Sequence, residues 1–224
     1  MNGYVPNSPL LLVGVLVALV MELLLGVLIT RLPNSKIARV FAWLLVVGMV
    51  LGIERWTVSE PAGIRMLAII GALLFGMKVV VSVEEHAAGR KNLNPRNWLL
   101  FTIGWPGMRP STFAEVPGPA KNRWAELLKQ GGRNLACGVI LFVMAWGISR
   151  IPGDTLTSPA RVWLATACLL PAISLMMHFG IFNLLAGGWR LLGADCHALF
   201  RAPLRSTSLA EFWGRRWNLA FSEM

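Results

Sequence analysis

The sequence predicts an all-α fold: a multi-pass transmembrane bundle of about five spans, with amphipathic segments on the cytoplasmic side. Three observations predict it. Of 224 residues, 55% are hydrophobic and only 14% are charged, whereas soluble domains average about 45–50% apolar and about 25% charged. Long uncharged runs alternate with short basic ones, as in a chain that crosses a bilayer repeatedly. The basic residues also divide unevenly between the two ends of those runs.

Five runs are long enough to span: 9–30, 37–53, 64–83, 135–151 and 162–189. Backbone groups in lipid need internal partners, so each is expected to be a helix. The first is too long for a signal-peptide core and lacks a small-residue cleavage site, so it reads as a retained span. The second is short, and Arg39 can snorkel to the headgroups. The fifth exceeds the ~20 residues that cross a bilayer and contains Pro171, which predicts a kink and tilt. With the N-terminus outside, sixteen Lys and Arg residues fall on the inner side, four (Arg55, Arg65, Arg150 and Arg161) on the outer side, and Lys78 within a span. That asymmetry sets the orientation. Three inner segments read as interfacial: 96–107, which is apolar but too short to cross; 120–130, which follows Pro119 and stops at Gly131-Gly132; and 208–222. In the last, Ser208 and Glu211 form a capping box, and Leu209, Phe212, Trp213, Trp217, Ala220 and Phe221 recur at helical spacing. The whole chain, 1–224, reads as one membrane domain.

A net charge of +10 would suggest nucleic acid in a soluble protein. Here the cations flank apolar spans, so the bilayer is the expected partner and nucleic acid is not. Cys137, Cys168 and Cys196 have no metal-ligand spacing, so neither a disulfide nor a metal site is expected. Two charges lie inside spans at similar depth, Glu22 and Lys78. Either they form an ion pair or each faces a wet cavity.

The tail goes further than composition. Ser206-Thr-Ser-Leu-Ala-Glu-Phe-Trp-Gly-Arg-Arg-Trp-Asn218 resembles the signature of the wax-synthase-like branch of the membrane-bound O-acyltransferase superfamily. Gly104-Trp-Pro-Gly-Met-Arg-Pro110 is similar to a W-P-G-M segment upstream of it in that family, and His178-Phe-Gly-Ile-Phe-Asn183 is similar to the family's preceding helix. The three blocks occur in the family's order and span roughly the second half of the chain.

The resemblance implies transfer of a fatty acyl group from acyl-coenzyme A to a long-chain alcohol or similar lipophilic hydroxyl. No cofactor is implied beyond acyl-coenzyme A as co-substrate. It assigns substrate binding to Phe212, Trp213, Arg215, Arg216 and Trp217, with Trp105 and Pro106 upstream. Guanidinium forks match phosphate oxygens; the alternative for Arg215 and Arg216 is positive-inside anchoring. Asn218 stands where the family has a recurrent polar residue, and its amide suits an oxyanion; otherwise it is a polar-face residue. The family's second residue, a general-base His, follows the signature in a later helix, and this sequence ends before it. The chain is therefore expected to be the N-terminal part of such an enzyme, inactive alone. His178 is the remaining intramembrane base candidate, with packing or a helix–helix hydrogen bond as its alternative. Asp195-Cys196-His197 does not form a nucleophile site, because adjacent residues point in different directions. The competing readings are a non-catalytic scaffold or subunit, and an acyltransferase for a sterol, diacylglycerol or secondary metabolite. The membrane is the cytoplasmic one in a bacterial host and the endoplasmic reticulum in a eukaryotic host.

Overall fold

The computed structural model describes residues 5–152, 155 and 157–222. Every regular element among them is helical, and five helices are long and apolar enough to cross a membrane. The chain is a multi-pass helical membrane protein. Where the sequence suggests one domain, the contacts divide the chain into two compact units, residues 1–114 and 115–222.

In the first unit, α1 (Pro9–Ile29), α2 (Ser35–Trp56) and α3 (Ala62–Ala87) form the bundle, and α4 (Pro95–Gly104) is a short fourth helix. Local chemistry sets their starts. Ser8, Asn34 and Asn94 each accept hydrogen bonds from free amides of the first turn, and Pro9 and Pro95 sit where a missing N–H costs nothing. Glu60, in the α2–α3 turn, accepts from the amides of Asn7 (2.8 Å) and Ser8 (3.1 Å), which ties down the start of α1.

Small residues recur every fourth position where these helices meet. Ala38, Ala42 and Val46 are buried on α2, and Ala68, Ala72 and Gly76 on α3. Lipid tails are as apolar as leucine, so helices in a membrane associate through close packing rather than the hydrophobic effect. The outward faces carry exposed large hydrophobics such as Leu10, Leu16, Leu44 and Leu67, as a bilayer requires. Segment 96–107, expected at the interface, is folded into this unit instead: Trp98, Phe101, Thr102, Trp105 and Met108 are all buried.

The second unit is built on α5 (Trp124–Ser149) and α6 (Ser158–Leu191). Here the sequence reading needs correction. Segment 120–130 is not a separate surface helix ending at Gly131-Gly132, because α5 runs through both glycines. A Cβ on Gly131 would sit within 3.0 Å of Leu184 and the Gly180 carbonyl. Gly138 meets Ala172 and Met176 in the same way, and Gly187 meets Leu128 and the Trp124 carbonyl. Gly131, Gly138 and Ala145, seven residues apart, are the buried residues of α5. These glycines are contact points between helices, so their helix-breaking tendency, about 1 kcal/mol, is overridden by packing.

Helix α6 is α-helical to Ser174, π-helical over Leu175–Ile181, and α-helical again from Phe182. The irregularity expected from Pro171 takes the form of this wide turn, which begins four residues after the proline.

Candidate functional site

The tail follows α6. It is not the single amphipathic helix that its periodicity suggests. Leu209–Glu211 is one α-turn, Phe212–Arg216 is a π-turn closed by the Trp217 amide donating to the Phe212 carbonyl (2.7 Å), and Leu219–Ser222 is a separate turn. Between them Trp217 is extended and Asn218 is left-handed, with φ of 41°. The helix breaks because its aromatics pack on the rest of the unit rather than sharing one lipid-facing stripe. Trp217 stacks on Phe212 (centroids 5.4 Å apart, planes at 12°) and meets Phe200 edge-on at 5.0 Å. Both lie against α6, where Phe200 touches Phe179 and Phe182. Two backbone hydrogen bonds, Arg201 to Arg216 (2.8 Å) and Leu219 to Leu199 (2.9 Å), lay the signature beside residues 199–201.

His178 belongs to this cluster. Its ring lies 4.6 Å from Phe200 and 5.5 Å from Trp217, and its Nδ1 is 3.4 Å from the Ser174 hydroxyl. It projects from the π-helical turn, a winding often found at functional sites. The structure therefore brings His178 within ring contact of the residue preceding Asn218, a juxtaposition that spacing in the sequence does not show.

The two arginines are not equivalent. Arg216 donates from Nε to Glu211 Oε1 (2.7 Å), and its Nη1 reaches the Arg201 carbonyl at 3.4 Å. Arg215 is exposed and, among the described residues, makes no hydrogen bond or ion pair. The capping box forms in modified form. Ser208 Oγ accepts from the Glu211 amide (3.1 Å), but Glu211 reaches back to the amide and hydroxyl of Thr207 (2.8 Å each). The Thr207 amide, with the Arg216 guanidinium next, holds the Glu211 carboxyl down to about 2. Trp213 is 60% exposed, and Arg215 lines an open pocket with Thr207, Ser208 and Glu211. The Asn218 side chain is half-buried and has no hydrogen-bond partner among the described residues.

The upstream candidates lie in the first unit. Trp105 is buried and Pro106 is half-buried. Near Asp195-Cys196-His197, Arg190 takes both the Asp195 carboxylate (2.7 Å) and the Cys196 carbonyl (2.7 Å), so Asp195 is committed to an arginine.

The expected Glu22–Lys78 ion pair does not form. Both side chains are fully buried, but neither Glu22 carboxylate oxygen has a hydrogen-bond partner. Lys78 instead donates to the carbonyls of Phe101 (3.3 Å), Trp105 (2.7 Å) and Gly107, with its ammonium 3.6 Å from the centre of the Phe101 ring. The three carbonyls replace the water that the ammonium loses on burial. The apolar run of α3 concealed this, because α4 is remote from Lys78 in sequence.

No protein-family model and no solved structure matches the chain. Over 90 residues, 39% of its length, it is 32% identical to a curated protein of Arabidopsis thaliana, "Probable long-chain-alcohol O-fatty-acyltransferase 7". That stretch covers 23% of the plant protein. The chain is thus a multi-pass helical membrane protein with partial similarity to an O-fatty-acyltransferase.

Proposed function

We propose that this chain carries the donor-binding part of an O-acyltransferase of the wax-synthase-like kind, which moves a fatty acyl group from acyl-coenzyme A to a long-chain alcohol or similar lipophilic hydroxyl. The observation that carries the reading is the division of labour in the signature. Arg216 is engaged by Glu211, whereas the adjacent Arg215 is exposed on an open pocket and has no partner among the described residues. A guanidinium left open in this way suits the phosphates of a nucleotide head, while the apolar helices suit its acyl tail. The partial similarity to a fatty-acyltransferase supports the same reading.

Asn218 takes the role of an amide donor to the thioester oxygen, where negative charge develops as the hydroxyl attacks. Its left-handed backbone and unengaged side chain leave that amide available. His178 is the candidate base, its ring in contact with Trp217, the residue before Asn218. The N-terminus lies outside, which places the arginines on the inner side, where coenzyme A is found.

The test uses the chain in nanodiscs and a fluorescent long-chain acyl-coenzyme A. Arg215→Gln is expected to weaken binding about tenfold or more, since a hydrogen bond to a charged group contributes about 1.5–3 kcal/mol. Asn218→Ala should leave binding within about twofold. Donor binding indifferent to Arg215→Gln would overturn the assignment.

A further inference from the structure

Lys78 sits in the apolar stretch of α3 and is completely enclosed. A buried ammonium without partners is costly, several kcal/mol even after relaxation. Here it meets three backbone carbonyls, one from within α4 (Phe101) and two from just beyond its end (Trp105 and Gly107). The last carbonyls of a helix have no intrahelical donors and carry the negative end of its dipole, so they are the natural seat for a cation. Three acceptors also match the three N–H bonds of an ammonium. The face of Phe101 closes a further side of the cage.

The cage belongs to a longer arrangement on one side of α3. One turn on, Ser82 Oγ accepts from the Trp98 indole (3.0 Å) and donates to the Lys78 carbonyl (2.7 Å). At the next turn, Glu85 accepts from the amide (3.0 Å) and hydroxyl (2.9 Å) of Ser111. Positions 78, 82 and 85 share a helix face. Together they hold the end of α4, its first turn and the 3-10 turn Pro110–Phe113 that follows. A Cβ at Gly107 would collide with the Trp105 indole, so the backbone at the cage is tightly folded on itself.

We propose that Lys78 is a positioning residue: its ammonium caps the buried end of α4 and fixes Trp105–Gly107 against α3. The cage stands independently of any activity. Its bearing on substrate, through Trp105 and Pro106, rests on the acyltransferase reading.

The experiment is hydrogen–deuterium exchange by mass spectrometry on the full chain in nanodiscs. Lys78→Ala should raise exchange in peptides covering 99–110 at least tenfold, with α5 peptides unchanged. Propylammonium, which replaces the deleted atoms together with the charge, should restore most of the protection, and 1-propanol, its neutral counterpart, should not. Equal rescue by both would show that the lysine only fills space and would overturn the proposal, as would unchanged exchange at 99–110. If Lys78→Ala unfolds the whole chain, Lys78→Arg decides: retained protection at 99–110 supports a cation in the cage, and lost protection overturns it. Selective rescue of exchange with acyl-coenzyme A binding unaltered throughout would uphold the cage and show that Trp105 and Pro106 do not bear on substrate.

Discussion

Two short aromatic segments, 95–113 in the first unit and 199–222 in the second, look alike in sequence and are held in opposite ways. The first buries Trp98, Phe101, Thr102 and Trp105, and buried hydrogen bonds secure it to a spanning helix, Lys78 donating to the Trp105 carbonyl and Ser82 accepting from the Trp98 indole. The second leaves Leu204, Leu209, Trp213 and Phe221 exposed, and aromatic stacking with one arginine–carboxylate pair holds it. Buried hydrogen bonds are costly to break because each abandoned partner remains desolvated. Stacked rings and surface ion pairs are cheaper to rearrange. A fixed wall and an adjustable loop result from the same kinds of residue.

The largest expected difference comes from removing Lys78. Lys78→Met leaves buried carbonyls without donors, at about 1–3 kcal/mol for each group, so a loss of about 3 kcal/mol is expected in reversible unfolding from mixed micelles. Gly138→Leu should cost about 1–3 kcal/mol through overpacking between α5 and α6, read in the same assay. Trp217→Ala removes its ring pairs with His178, Phe200 and Phe212, each contributing about 0.5–1.5 kcal/mol, but the loss falls on the tail; its signature is faster proteolysis confined to residues 199–222. If the proteolysis that follows Trp217→Ala spread beyond residues 199–222 while that of Lys78→Met stayed within 95–113, the contrast between wall and loop would be reversed.

Glu22 sharpens the comparison from the other side. Its carboxylate is buried without a partner, so Glu22→Gln should be neutral or stabilising by up to about 1 kcal/mol. Combined with Lys78→Met, the effects should add, because the two groups are not paired. A coupling above about 0.5 kcal/mol in that cycle would restore the ion pair. The smallest effect concerns pH. Folding lowers Glu211 from 4.5 to about 2, so its contribution is full above about pH 4.5 and is lost as pH falls from there toward 2. Tail proteolysis should be flat from pH 7 to 5 and rise below that, and Glu211→Gln should abolish the rise.

The spans were legible because hydropathy and charge asymmetry are local properties summed over twenty residues. Three features were not. Gly131-Gly132 has the composition of a helix stop, and only the partner helix explains why it is not one. Glu22 and Lys78 match in depth, but depth says nothing of rotation about the helix axis, and carbonyls in α4 leave no mark on a hydropathy profile. The tail's apolar spacing fits a helix, yet Trp217 and Phe212 meet because the chain departs from α-geometry between them. In the candidate site, Arg215 and Arg216 are identical in sequence, and only Glu211 distinguishes them.

The wide turn at Leu175–Ile181 has a consequence for how α6 tolerates change in length. An α-helix advances about 100° per residue, and a π-turn takes up one extra residue within the same winding, so the helix beyond it faces as it would without that residue. Shortening the chain by one residue there would restore regular winding at little local cost. It would leave Gly187 against Leu128, whereas deleting one residue from the regular part of α6 would turn everything downstream by about 100°. The surplus residue is thus slack in the winding, and frame-preserving deletions along α6 would reveal whether the tail tolerates its loss.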